Sequence, residues 1–356
     1  MYHKALYFST LQFALQFAGS FGIILIWVIM RLREKMMGFW IALSIIVVLL
    51  LGGVIFMFVY TTPIAEKVYR EYLVNPNPDD RKRECSCVTN EEQVAMWNAG
   101  CKWGEERADK MREVEVHRDG LRFLGEYYDF GFDRAVIILP GRCECLKYSY
   151  FYAKPYEDAG FNVLVIDQRS YGLSDGEFNT IGKEECEDLR VWIKFVEDEL
   201  DIHKIWLHSI CVGSSTAVLL TSSDSCPESI KAVVMDGCFI SFRESFRTHM
   251  IDLKKPTFPV LNMVMNKIKK NTGTDVDKIA PIKLIDKVKV PVLFLYGEKD
   301  IFSRPDKSKL LIEKCGSSIK EVEWFKEGAH SHLRYTNPEQ YDAAILRFSE
   351  KDVFKN

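Results

Sequence analysis

Charge is missing from two long stretches of this 356-residue chain, residues 5–30 and 36–65. Each exceeds the roughly 20 residues that suffice to cross a bilayer, and a soluble domain seldom leaves so many consecutive positions uncharged. The second stretch contains IALSIIVVLLLGGVIFMFVY, apolar on every face, with Trp40 and Tyr60 near its ends, where interfacial aromatics belong. The first is weaker: Ser9, Thr10, Gln12, Gln16 and Ser20 interrupt it, and Met30 opens MRLREKMM, which reads as a start of its own. No small-residue cleavage site closes it, which argues against a removed signal peptide. A cationic surplus is also missing. With 47 Lys and Arg against 50 Asp and Glu, the net charge of -3 excludes the electrostatic footprint of a nucleic-acid partner. Metal-type cysteine spacing is absent too: of ten cysteines, Cys85/Cys87 and Cys143/Cys145 are each separated by one residue, short of the roughly two to four of a zinc knuckle. The chain is far larger than a disulfide-stapled miniprotein, so most of its cysteines read as free thiols, and neither metal nor cofactor is expected. There is no internal repeat.

What remains divides into a membrane region (1–65), a linker (66–90) and a domain (91–350). The linker NPNPDDRKRE is charged and turn-rich, with nothing to bury. Sidedness is contested. Arg31, Arg33 and Lys35 between the apolar stretches favour an extracytoplasmic domain, whereas Lys67, Arg70, the cluster Arg81, Lys82 and Arg83, and the many thiols favour the cytoplasm. The first argument is preferred. Residues 91–111 read as an amphipathic helix with Val94, Trp97 and Trp103 available to dock. EVEVH and LRFLGEYYDF then alternate around Asp119 and Gly120, a tight-hairpin dipeptide.

From there strand and helix patterns alternate. The short continuous apolar runs AVIIL, VLVI, IWL, AVVM and VLFLY are those of strands buried on both faces. Helical periodicity is clearest over 183–200 and 306–315, and a last helix is announced by Asn337 as cap, Pro338 at the first position and Gln340 at the third. The pattern predicts an α/β fold: a mostly parallel, doubly wound sheet with an antiparallel start, covered on both faces.

In such sheets ligands bind at the carboxyl ends of the strands. PGRCE, DQRSYGLSDG, SICVG, GEKD and KEGAH each follow a strand-like run. In SICVG a strand turns straight into a helix, the context of a nucleophile elbow, whose neighbours two residues either side must be small. Only Cys211 has such flanks, Ser209 and Gly213. Centring on Ser209 or Ser214 puts Leu207 and Cys211, or Val212 and Thr216, in those places. The candidate nucleophile is a thiol, although a buried cysteine acting as a small hydrophobe is the commoner case.

In order and spacing these five motifs resemble the α/β-hydrolase superfamily over about residues 91–350, and more closely bacterial membrane-anchored hydrolases related to the serine aminopeptidase and monoacylglycerol-lipase group. The resemblance implies an α/β-hydrolase fold with a small helical cap over 239–285. It assigns Cys211 as nucleophile, Asp300 as triad acid and His330 as base, with the amides of Val212 and Arg142 as oxyanion donors. His332 competes with His330, and Asp236 is a substitute acid at another strand end. Asp167, Arg169 and Ser174 match a structural turn. Two departures stand out: Pro140 occupies the usual place of an oxyanion-loop histidine, and cysteine replaces serine. The expected activity is hydrolysis of an ester, thioester or amide through a covalent acyl-enzyme. Acyl transfer and a noncatalytic membrane-tethered binding protein are the alternatives. The cap's Phe242, Phe246, Met250 and Phe258 are candidates for an apolar site taking a small-molecule or lipid-like acyl substrate, with the bilayer as a further partner.

Overall fold

The computed structural model describes residues 2–74, 82–85, 88–351 and 354. The chain divides into two units, residues 1–62 and Pro63–Asn356. Helix α1 (Tyr2–Leu73) runs without a break through Arg31, Arg33 and Lys35, so the two expected spans are not separated by a loop. From Ile23 to Tyr60 its large apolar side chains, Met57 apart, are exposed to the surroundings. Among the described residues it is the one helix long and apolar enough to cross a membrane, from Gly22 onward.

The second unit opens with the last turns of α1. Residues 66–73, expected as linker, are helical, and Val68, Tyr69 and Leu73 are buried. Farther on, Arg83 is mostly withdrawn from solvent, in ion pairs with Glu126 (2.9 Å) and Asp167 (2.8 Å). Residues 75–81 and 86–87 of that stretch lie outside the described residues.

Helix α2 (Glu91–Glu105) is capped by Asn90, whose side chain accepts from the Gln93 amide, and ends six residues earlier than its periodicity suggests. The hairpin of β1 (Met111–Arg118) and β2 (Leu121–Tyr128) turns at Asp119 and Gly120, both at positive φ as a two-residue turn requires. The remaining strands are β3 (Ala135–Leu139), β4 (Asn162–Ile166), β5 (Ile205–Ile210), β6 (Ile230–Asp236), β7 (Val292–Gly297) and β8 (Lys320–Phe325). The sheet order is β1-β2-β4-β3-β5-β6-β7-β8, antiparallel at β1/β2 and β2/β4 and parallel throughout the rest.

Helices cover both faces. The short α3 (Leu146–Ser149) and α4 (Lys154–Asp158) follow β3; α5 (Lys183–Leu200) precedes β5 and α6 (Val212–Thr221) follows it. Between β6 and β7 come α7 (Phe242–Asp252), α8 (Val260–Thr272) and α9 (Pro281–Leu284), and α10 (Pro305–Lys314), α11 (Leu333–Thr336) and α12 (Pro338–Ser349) complete the chain. Residues of α5, α6 and α10 build the core on one side of the sheet, and those of α2, α4 and α12 the core on the other. A third apolar cluster joins α7 and α8 to Ala65, Val68, Tyr69 and Leu73. The cap is thus present, and it packs on the end of α1. Asn337 does not cap α12 with its side chain, which donates instead to the carbonyls of Glu327 (2.8 Å) and Leu333 (3.1 Å).

Candidate active site

The strained corner expected between β5 and α6 belongs to Cys211, at φ 50° and ψ -108°. Side chains other than glycine rarely adopt such a conformation, and it persists only where the surroundings enforce it. Here the enforcement is visible. The Cys211 amide donates to the Asp236 carbonyl (3.0 Å), and the Ser214 amide donates to the Cys211 carbonyl (3.1 Å). A Cβ at Gly213 would stand 2.6 Å from the Leu139 carbonyl oxygen, so helix and strand approach too closely for any side chain there. Ser209 is fully buried, with its hydroxyl bonded to the Val234 carbonyl (3.0 Å).

Asp300 and His330 come from the loops after β7 and β8. His330 Nδ1 and Asp300 Oδ2 are 2.7 Å apart. The other oxygen, Oδ1, accepts from the amides of Phe302 (2.7 Å) and Ser303 (2.8 Å), which fixes the carboxylate plane. Burial alone would push the Asp300 carboxyl up, but the imidazole and the two amides outweigh it and hold it below the ordinary aspartate value. Burial likewise opposes the charged form of His330, and is overcome by Asp300 and by Cys211, so its pKa lies well above that of a free imidazole. Nε2 is buried and makes no regular hydrogen bond to a described group. The N–H groups of Val212 and Arg142 likewise have no partner among the described residues, and both residues line a cavity of about 290 Å³ together with Cys211 and His330.

Of the four cap residues expected there, Phe242 and Phe246 line the cavity. Met250 is turned into the apolar cluster of the cap, and Phe258 is 72% exposed; neither reaches the cavity. The cavity stripe of α7 is Phe242, Ser245, Phe246 and His249, one helical face that mixes apolar and polar side chains. His332, the competing base, is engaged by Glu92 (2.7 Å) and Gln93 (2.8 Å) of α2. Asp236 is occupied elsewhere: Tyr341 donates to its Oδ2 (2.7 Å), beside a buried His208 that pairs with Tyr156 (2.7 Å). The turn residues serve structure. Asp167 holds Arg83 and the Leu146 and Leu173 amides, Arg169 pairs with Asp188 (2.7 Å), and Ser174 bridges Asp167 to Leu124.

Two contributors escape a reading of the sequence. A Cβ at Gly237, which has φ 63°, would come within 2.8 Å of His330 Cε1, so this glycine makes the room in which the imidazole stands. Its signal is only a glycine after a strand. Glu144 accepts from the Gly141 amide (2.7 Å) and so closes the Pro140–Glu144 turn that carries Arg142. Burial raises its carboxyl, partly offset by that amide.

Residues 134–250 match a family model described as alpha/beta hydrolase fold. The chain is 27% identical over 206 residues to the uncharacterized protein YqkD of Bacillus subtilis, covering 57% of this chain and 65% of that one. It is 26% identical over 176 residues to protein bem46 of Schizosaccharomyces pombe, covering 49% and 54%. It thus spans less than two thirds of the length of these relatives. Among solved structures, esterase Pf2001 of Pyrococcus furiosus superposes with a TM-score of 0.58 at 20% identity, covering 69% of this chain and 92% of the esterase. The acylaminoacyl peptidase of Pyrococcus horikoshii does so with a TM-score of 0.53 at 19% identity, covering 69% and 42%. Such identities speak for the fold alone. Sheet order, the corner at Cys211 and these likenesses agree: the chain has the α/β-hydrolase fold.

Proposed function

We propose that the protein is a membrane-anchored hydrolase that cleaves ester, thioester or amide bonds through Cys211, His330 and Asp300. The observation that carries this reading is the 2.7 Å His330–Asp300 pair, whose free Nε2 lies in one cavity with a thiol held at a strained strand-to-helix corner. The pair fixes the imidazole with Nδ1 toward Asp300, so Nε2 is the nitrogen that takes the thiol proton. The thiolate sulfur then attacks the carbonyl carbon, and the carbonyl electron pair moves to an oxygen facing the Val212 and Arg142 amides. Collapse breaks the bond to the leaving group, which takes the proton back from Nε2. Water, deprotonated by the same nitrogen, attacks the thioester, and Cys211 leaves with the proton.

Anchoring rests on α1. Its charge-free part, residues 36–65, is about 45 Å long as a helix, enough for one crossing. The basic residues Arg31, Arg33 and Lys35 before it favour a cytoplasmic amino-terminal side and an extracytoplasmic domain.

The test is turnover of 4-nitrophenyl esters of graded chain length by the full chain in detergent. Cys211→Ala, His330→Gln and Asp300→Asn should each lower kcat/KM by about 100-fold or more while melting curves stay cooperative. Full turnover in Cys211→Ala would remove the covalent mechanism.

A further inference from the structure

The hydrolytic reading accounts for the backbone of Arg142 but not for its side chain. The guanidinium lies over the rings of Tyr72 (5.0 Å) and Phe246 (5.8 Å), and its one hydrogen bond among the described residues goes to Cys143 Sγ (3.8 Å). Among the described residues no carboxylate oxygen lies within ion-pair distance of it. Arg142 is half-buried, and a cation withdrawn even partly from water ordinarily gains a counter-ion, because leaving it unpaired there is costly. The nearby carboxylate that lines the same cavity, Glu144, uses Oε2 on the Gly141 amide instead.

A second polar group packs against the same two rings as the guanidinium. His249 Nε2 is buried and without a hydrogen bond, and its ring touches those of Tyr72 (5.2 Å), Phe246 (6.2 Å) and Phe302 (5.7 Å). Phe302 in turn packs on His330, with ring centroids 5.3 Å apart. Through the shared rings of Tyr72 and Phe246, contacts lead from Arg142 to His249 and by Phe302 to the base, and Arg142, His249, Phe302 and His330 all line the cavity with Cys211. Burial and the adjacent guanidinium hold the His249 pKa down at about 4, so at neutral pH its imidazole is uncharged and offers one N–H.

We propose that Arg142 and His249 form a subsite for an anionic oxyacid group, so that the acyl compounds cleaved at Cys211 carry a carboxylate or phosphate besides the reacting carbonyl. The inference rests on the hydrolytic reading and narrows its substrate class. A planar guanidinium presents several N–H donors to an oxyanion, and the low-dielectric walls strengthen the attraction. The His249 N–H supplies a neutral donor at the same place. A cavity of about 290 Å³ is at the small end for ligand sites, which suits a short acyl group with a charged end.

The experiment compares kcat/KM in matched pairs with the full chain in detergent. Mono-4-nitrophenyl adipate against 4-nitrophenyl hexanoate tests a carboxylate on the acyl side. Monobutyryl glycerol phosphate against monobutyrin tests a phosphate on the leaving group. The anionic member of at least one pair is expected to be preferred about tenfold or more, and Arg142→Met should reduce that ratio about 10- to 100-fold. Arg142→Lys should restore part of it. If the side chain were only a clamp between Tyr72 and Phe246, Arg142→Met would lower both members alike, and that result overturns the proposal. So does a wild-type enzyme indifferent to charge in both pairs, a result that needs no folded variant. No turnover of any of the four compounds would instead count against the hydrolytic reading. The subsite is then decided by calorimetry on Cys211→Ala, which should bind adipate or glycerol phosphate and lose that binding with Arg142→Met; absence of binding to either anion overturns it.

Discussion

Cys211 differs from the other cysteines in its surroundings more than in its chemistry. The nine described cysteines are all free thiols. Burial pushes Cys145 and Cys186 up to about 12 and Cys238 higher still, so these stay protonated and shielded near neutral pH. Brief treatment with iodoacetamide at pH 7 should label Cys211 first, read by peptide mapping; faster labelling at Cys143 would refute the assignment. A second titrating residue lies behind the site. Asp236 faces Tyr341 directly and His330, Asp300 and Glu144 through space, and burial raises its carboxyl to about 7. In the unfolded chain the value is about 3.9, so the folded state keeps a proton that the unfolded state loses. The group's contribution is complete below about pH 4, declines as pH rises to about 7, and stays low above that. Asp236→Asn removes the titration. Relative to the wild type it should gain up to about 4 kcal/mol of unfolding free energy between pH 4 and 8, and a pH-independent difference would rule this out.

The strands were the most legible elements, since AVIIL and VLFLY are apolar on both faces and stand within one residue of β3 and β7 as observed. Asp119-Gly120 likewise marked its hairpin because both positions need positive φ. The elbow was readable from the smallness of Ser209 and Gly213, which the close approach of Leu139 demands. The cap was not, beyond its existence. Its cavity face holds Ser245 and His249, so choosing by apolarity selected Met250, which points into the cap's own core, and Phe258, which is exposed. Charge misled again at Arg83, near the end of NPNPDDRKRE, where it suggested solvent. Arg83 there is inserted between Asp167, fully buried, and Glu126 at the middle of the sheet's antiparallel edge. Its partners are three-dimensional, and no local pattern announces them. Arg83→Met leaves two buried carboxylates short of their cation and should cost about 3–5 kcal/mol in denaturant unfolding. A loss below about 1 kcal/mol, typical of an exposed pair, would show that the ion pairs do not hold this segment.

For the molecule as a whole, the question is where the exposed apolar helix ends and the folded domain begins. Composition puts the domain's start near residue 91, whereas the packing puts it at Pro63. Ala65, Val68, Tyr69 and Leu73 belong to the same buried cluster as Phe242, Phe246, Val260 and Val264 of the cap. Glu66 pairs with Lys267 of α8, and Asn271 donates to the Tyr69 hydroxyl (3.0 Å). A chain begun at residue 91 would expose that apolar surface, remove Tyr72 from beside Arg142, and delete Arg83. The large side chains of Val68, Tyr69 and Leu73 in such a setting are worth several kcal/mol, by about 1.5–3 kcal/mol for each one fully buried. A chain begun at residue 63 is therefore expected to fold cooperatively and to keep whatever ester turnover the proposed reading gives the full protein. One begun at residue 91 should melt lower, bind a hydrophobic dye and lose most turnover. The full chain should sediment with membranes and resist alkaline carbonate, while the chain from residue 63 stays in the supernatant. Release of the full chain by carbonate would contradict insertion of α1. Equal stability and turnover in the two shortened chains would show that the last turns of α1 belong to the anchor alone.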